Sequence, residues 1–340
     1  MVISEVETPR PVTRTMAGGL AAKPAPRLGE LLARLEGLSK VQEDRTVPSG
    51  DLSMNIDGTL RVGHHESFPV RDHALGQVAA KLRIPASYLR RCDPALRAQN
   101  VNRWLGDLRG DVLLRFEAGE VRAVLSRAYA PISHNDILGW LRKRLHDETQ
   151  VRYELNDAYL DLQVVKGTPV EGIADIDRDP LHRGLHLRNS EIGMAKVTIS
   201  ALVYRTICLN GLLLGHGKWA YQRRHVGTNQ VAENVRAAFE KALDLSAQAV
   251  GKFAGTRGVV IAEPLKALAR VAERYELTES EALATRHAYS IEPAESLYGV
   301  INAVTRAANS SSLSVDSRHK LQTLGGRLVE LARTGRRWLD

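Results

Sequence analysis

Between residues 151 and 224 the chain repeatedly alternates apolar with polar side chains, and from Val231 it changes to helical spacing that lasts to about Phe253. Leu160, Leu162 and Val164 alternate with Asp161 and Gln163, as a strand with one buried face requires. Val235, Phe239, Ala242, Leu245 and Ala249 then fall on one side of a helix. Strands are predicted over Val151–Leu155 and Tyr159–Val165, joined at the turn residues Asn156 and Asp157. A loop from Gly167 to Pro180 follows, then strands over His186–Ile192, Lys196–Cys208 and Lys218–Arg224. Such an order restricts the chain to an α+β fold: a mostly antiparallel central sheet with a long packing helix, flanked by helical N- and C-terminal parts.

The flanks read differently. Residues 1–27, rich in Pro, Ala, Thr and Gly, lack any apolar period and are expected to form a tail. Residues 28–110 hold a short helix at Leu28–Leu38, a hairpin over 51–72, and helices from Ala74 to Leu82, around Tyr88–Arg91 and through Leu96–Leu105. The central core is assigned to 111–258. It opens with paired strands, Val112–Phe116 and Val121–Ser126, around Gly119, and a helix over Ser133–His146. Residues 259–340 are read as helices, one starting at the capping box Thr278-x-x-Glu281.

No segment reaches the roughly 20 apolar residues of a bilayer-spanning helix, and the N-terminus has no secretory h-region. Cys92 and Cys208 are too few for a disulfide framework. A reducing, cytoplasmic setting is expected. With 47 Lys and Arg against 39 Asp and Glu, the net charge of +8 favours a polyanionic partner.

Motifs for chemistry fall short. The segment Gly211 to Lys218 looks like a phosphate loop, but Leu212 stands where the first glycine belongs and Trp219 where a hydroxyl should bind Mg²⁺. Asp175, Asp177 and Asp179 alternate like calcium ligands, yet Pro180 replaces the turn glycine and His186 the bidentate glutamate. His182 and His186 are four apart, but Gly184 and strand-like neighbours argue against a shared helical face. Glu154, Asp157 and Asp161 are scattered carboxylates without a spacing that makes them converge. No Gly-x-Ser-x-Gly elbow is present. The expectation is a protein that is not an enzyme, with no catalytic residue, no metal site and no cofactor.

Cations and aromatics cluster instead. In Lys218-Trp219-Ala220-Tyr221-Gln222-Arg223-Arg224, a strand would place Lys218 and Arg224 on one face, and Trp219, Tyr221 and Arg223 on the other. Single-strand binders hold phosphates with cations and stack bases on flat rings; packing in the core is the competing role for Trp219 and Tyr221. Residues 196–257 carry nine cations, Lys196 among them, against three carboxylates. Arg122 and Arg127 flank a neighbouring strand. Arg188, in the polar run Arg188-Asn189-Ser190-Glu191, is expected to line a wet groove. The nucleic-acid-binding set is therefore Arg122, Arg127, Arg188, Lys196, Lys218, Trp219, Tyr221, Arg223 and Arg224.

The same stretches resemble a known family. Val121-Arg-Ala-Val-Leu-Ser-Arg-Ala-Tyr-Ala-Pro-Ile132, Gly184-Leu-His-Leu-Arg-Asn-Ser-Glu-Ile-Gly193 and Tyr204-Arg-Thr-Ile-Cys-Leu-Asn-Gly211 resemble a phage- and plasmid-associated family, domain of unknown function 932. Ile84–Tyr88, Asn100–Leu105 and Leu297–Arg306 fit it too, so the resemblance covers roughly residues 70–330. It brings no established activity. The order helix, antiparallel strands, long helix is also similar to the single-strand annealing recombinase superfamily, a likeness of fold alone. That similarity implies a homo-oligomer, ring or filament, that holds single-stranded DNA in a basic groove and anneals complements without ATP. A helix-turn-helix regulator built on Ala74–Cys92 and a metal-dependent nuclease are the alternative readings.

Overall fold

The structure, a computed structural model, describes residues 26–333 apart from residues 143, 148, 150, 170–179, 206–209, 214–219 and 228–229. Helix α1 (Leu28–Ser39) leads into β1 (Gln42–Pro48), and β2 (Leu52–Met54), β3 (Leu60–Val62) and β4 (Glu66–Phe68) form an antiparallel meander. Helices α2 (Asp72–Leu82), α3 (Ala86–Arg91) and α4 (Pro94–Leu105) follow. The α2 stripe Leu75, Val78, Ala79 and Leu82 is buried against Leu114, Val121 and Val124 of a hairpin, β5 (Asp111–Glu117) and β6 (Glu120–Ser126). Arg83 ends α2 in left-handed geometry, its N–H donating to the carbonyls of Ala79 and Ala80, just before Pro85. Ala118 and Gly119, at φ 51° and 79°, make the β5–β6 turn, the left-handed pair that matches the twist of a tight hairpin.

Two features here differ from expectation. Strand β1 pairs with β5 along all seven of its residues, although Gln42–Thr46 shows no apolar alternation. It is an edge strand, and charges on an edge block further pairing. Strands β1, β5 and β6 form a sheet of their own, apart from the main sheet whose strands begin after residue 126, and with β2–β4 and α2–α4 they make up an N-terminal unit.

Helix α5 (His134–Leu141) starts at a reciprocal capping box between Ser133 and Asp136, and stops five residues short of the expected end. The main sheet then runs β7 (Val151–Leu155), β8 (Leu160–Pro169), β9 (Leu181–Asn189), β10 (Val197–Arg205) and β11 (Asn210–Leu213), in the spatial order β11-β10-β9-β8-β7. A short β12 (Tyr221–Arg223) also pairs with β10. Strand β9 starts five residues earlier than expected, and β11 falls inside the looked-for phosphate loop. The named strand pairs are antiparallel, as the sequence pattern requires.

One face of this sheet is apolar. Leu160, Leu162, Leu185, Leu187, Val197 and Ile199 meet α1, α5 and the first half of α6 (Val231–Gly255). Ala201 and Val203 join the core formed with the second half of α6 and the helices α7 (Pro264–Arg274), α8 (Glu279–Ile291) and α9 (Leu297–Ala307), to which α10 (Val315–Arg333) adds Leu321, Leu324 and Leu328. Thr278 and Glu281 form the capping box read from the sequence. Gly184 is required where β9 crosses β8, because a Cβ there would sit 2.4 Å from the Val164 carbonyl oxygen. No helix among the described residues is long and apolar enough to cross a membrane.

Candidate functional site

Three segments converge on one surface groove of about 540 Å³: Leu125–Tyr129 after β6, Gly193–Lys196 before β10, and Arg224–Val226 after β12. The bridge between Tyr129 and Val226, and the hydrogen bond from the Ala130 N–H to the His225 carbonyl, hold the first and last together. Its floor is flat and partly apolar. Tyr129 stacks on His225 with ring centroids 5.0 Å apart at 7°, while Met194 and Val226 are exposed. Lys196 and Arg224 stand exposed on its rim. Arg127, between two lining residues, is also solvent-facing and pairs with Asp111 at 3.0 Å.

A second groove, of about 740 Å³, opens between the ends of α2 and α4, lined by Lys81, Arg83, Tyr88, Asn100 and Trp104. Tyr88 and Trp104 are 45% and 48% exposed. Sequence reasoning placed both on helices without a surface role. The available signal was position: Trp104 lies off the buried α4 stripe of Ala98, Val101 and Leu105.

The nine anticipated residues do not act as one surface. Lys196, Arg224 and Arg127 face solvent around the first groove. Arg223 is half-buried and donates to the carbonyls of Val226 and Gly227, so it shapes the groove's loop. Lys218 and Trp219 lie outside the described residues, as do Cys208 and Asp175–Asp179. Three assignments are corrected. Tyr221 sits opposite Ile199 on the helix-facing side of the sheet and packs into the core, so its ring is no stacking platform. Arg188 is buried, paired with Asp316 and placed 4.2 Å over the Tyr159 ring, not in a wet groove. Arg122 is 5% exposed and bonds Glu191 at 2.9 Å and Glu117 at 3.3 Å.

Arg122 belongs instead to a charged cluster at the seam between the N-terminal unit and the main sheet. Glu191 accepts from the His134 backbone N–H at 2.8 Å, and Asn189 donates to His134 Nδ1 at 2.9 Å. Burial opposes the charge on Glu191, yet His134 and Arg122 hold its carboxyl down at about 2. Burial pushes the His134 imidazole down to about 4, with Arg122 and Arg115 adding repulsion that Glu191 only partly offsets. His225 is also pushed to about 4, by burial and then by Arg115. This cluster fastens two units through the Arg122–Glu191, Glu191–His134 and His134–Asn189 contacts.

The second face of the main sheet is polar over β8, β9 and the start of β10 and still buried, with Leu202, Tyr204 and Leu213 as an apolar patch toward β11. Asp161, Gln163, His186, Arg188, Thr198 and Ser200 share this face of β8, β9 and β10, and α10 lies against the first four. Gln322 of α10 accepts from Gln163 at 3.2 Å, and Arg318 pairs with Glu154 at 2.6 Å. Asp161 Oδ1 lies 2.7 Å from His186 Nε2, and His319 of α10 brings its ring centroid within 5.2 Å of His186. Despite its burial, Asp161 is held below the usual carboxylate range by His186 and the neighbouring His319. Burial pushes His319 down to about 3, with His186 adding to the shift. Sequence reasoning weighed Asp161 and His186 separately and dismissed both; His319, on an element 133 positions along the chain from His186, was not considered.

No family model matches the chain, and neither a curated protein nor a solved structure matches it.

Proposed function

We propose that this protein binds single-stranded nucleic acid, DNA before RNA, along the groove rimmed by Lys196 and Arg224. The observation that carries the proposal is the pairing of two exposed cations with a flat, partly apolar floor of Tyr129, Met194 and Val226. Cations attract the phosphate chain by releasing its counterions, and a flat, apolar floor accepts bases regardless of sequence. Tyr88 and Trp104, exposed in the second groove with Lys81 and Arg83 beside them, would offer flat faces for further bases. The net charge of +8 favours the same class of partner.

The resemblance to the phage- and plasmid-associated family, and the order of elements it shares with annealing recombinases, extend the proposal. The protein would act in a reducing cytoplasm as a homo-oligomeric, ATP-independent strand-annealing protein. The absence of a phosphate-loop sequence fits that reading. Titration of labelled single-stranded and duplex DNA over a salt series, followed by fluorescence anisotropy, tests it. Tighter binding of the single strand is expected, with affinity falling steeply as salt rises. A flat salt response or a preference for duplex contradicts it.

A further inference from the structure

We propose that Asp161, His186 and His319 form a binding site for one divalent transition-metal ion, which fastens α10 to the polar face of the main sheet. The three side chains come from β8, β9 and α10. Each offers a ligand atom, and those atoms all lie within 4.8 Å of one another. Asp161 stands opposite Arg188 in the strand register and His186 opposite Gln163, so carboxylate and imidazole meet diagonally across the β8–β9 pair. Helix α10 closes over them with His319.

Unused valence is the second, independent observation. His186 is 0% exposed, and its Nδ1 has no hydrogen-bond partner among the described residues. The same is true of Asp161 Oδ2 and His319 Nδ1. Buried polar atoms left without partners cost stability and call for an occupant. A His–Asp pair acting alone would use one contact and leave three atoms orphaned. A cation held by one nitrogen of each imidazole and one carboxylate oxygen would supply a partner that the Asp161–His186 contact alone does not.

Donor chemistry selects the ion. Two imidazole nitrogens and one carboxylate oxygen suit zinc and its first-row neighbours rather than calcium or magnesium, which prefer oxygen throughout. The nearby cations do not block it. Arg188 is paired with Asp316 and Arg318 with Glu154, which leaves Asp161 as the carboxylate facing the two imidazoles. A cavity of about 100 Å³, lined by Glu154, Gln163, Arg318 and Gln322, adjoins the site. Three protein ligands leave a fourth position open, and this cavity has room for the water that would fill it.

The test uses the full chain, stripped with a chelator, dialysed and titrated with Zn(II) alone. Calorimetry should give one site per chain, thermal melting should shift upward on loading, and Co(II) in place of Zn(II) should give visible d–d absorption. His319→Gln, altering a half-buried residue on the last helix, should leave the metal-free melt nearly unchanged. It should weaken Zn(II) binding by more than about tenfold, the loss that even an outer-shell partner costs, and abolish the upward shift. Asp161→Asn gives the same readout from the sheet side. His64→Gln with His65→Gln, a control for surface histidines, should bind as the parent does. Absence of stoichiometric Zn(II) binding overturns the proposal, and so does undiminished binding in both His319→Gln and Asp161→Asn. Binding of single-stranded DNA is a separate property of a different surface, so either can fail without the other.

Discussion

The two faces of the main sheet are built from the same strands and obey opposite rules. On one, Leu160, Leu162, Leu185 and Ile199 pack with apolar side chains of α1, α5 and α6. On the other, Asp161, Gln163 and His186 meet side chains of α10, Thr198 is buried on the same face, and several of their polar atoms lack partners among the described residues. Hydrophobic burial is non-directional and stabilises wherever area is removed from water. A buried polar layer is useful only if each group finds a partner. The apolar face therefore contributes most of the stabilisation, and the polar face is where the proposed metal site lies.

The largest expected effect tests whether buried charge at the seam behaves like either face. Arg122→Ala strips Glu191 of its guanidinium partner and should destabilise by about 3–5 kcal/mol, the usual cost of an orphaned buried charge. Chemical denaturation measures it; a loss below about 1 kcal/mol would mean the pair is no stronger than a surface ion pair. Leu162→Ala, at a position with 0% exposure, should cost about 2–5 kcal/mol. A small effect there would mean the helix-facing side is not the load-carrying one.

Acid should loosen the same seam. His134 and His225 are both depressed from 6.5 to about 4 in the folded protein. Between those values the unfolded chain binds more protons, so stability is fully present above pH 6.5 and falls as pH drops toward 4. Each imidazole should cost on the order of 2–3 kcal/mol across that window. Glu191, depressed to about 2, adds its loss only below its ordinary value of 4.5. Melting temperatures that stay level over this range would contradict the burial of both histidines. The smallest effect has the opposite sign. Thr198→Val removes a buried hydroxyl that has no partner among the described residues and should stabilise by about 1 kcal/mol. Destabilisation would show that the hydroxyl is satisfied.

The asymmetry between the faces also explains what could be read from the sequence. The alternation at Leu160–Val164, the helical stripe of α6 and the capping box at Thr278 depend on local spacing, and all three appear where expected. Strand β1 was missed because an edge strand needs no apolar alternation. The polar face was legible as polar but not as buried. Whether Asp161 meets water or α10 depends on a helix that begins more than 150 residues later. Arg188 and Arg122 were misassigned for the same reason, since Asp316 and Glu191 are distant in sequence and near in space. Lys196 and Arg224 are exposed, a placement that needs no distant partner to anticipate.

The most direct test of the nucleic-acid proposal is the affinity of Lys196→Glu with Arg224→Glu for single-stranded DNA, measured by anisotropy across a salt series. Both side chains are exposed, so circular dichroism and the melting temperature should stay close to the parent's, within about 0.5 kcal/mol of stability. Binding should weaken markedly, and the log–log salt slope should become shallower by about 1.4, or 0.7 for each lost phosphate contact. A folded double variant with the parent's affinity and slope would show that the strand does not lie in this groove.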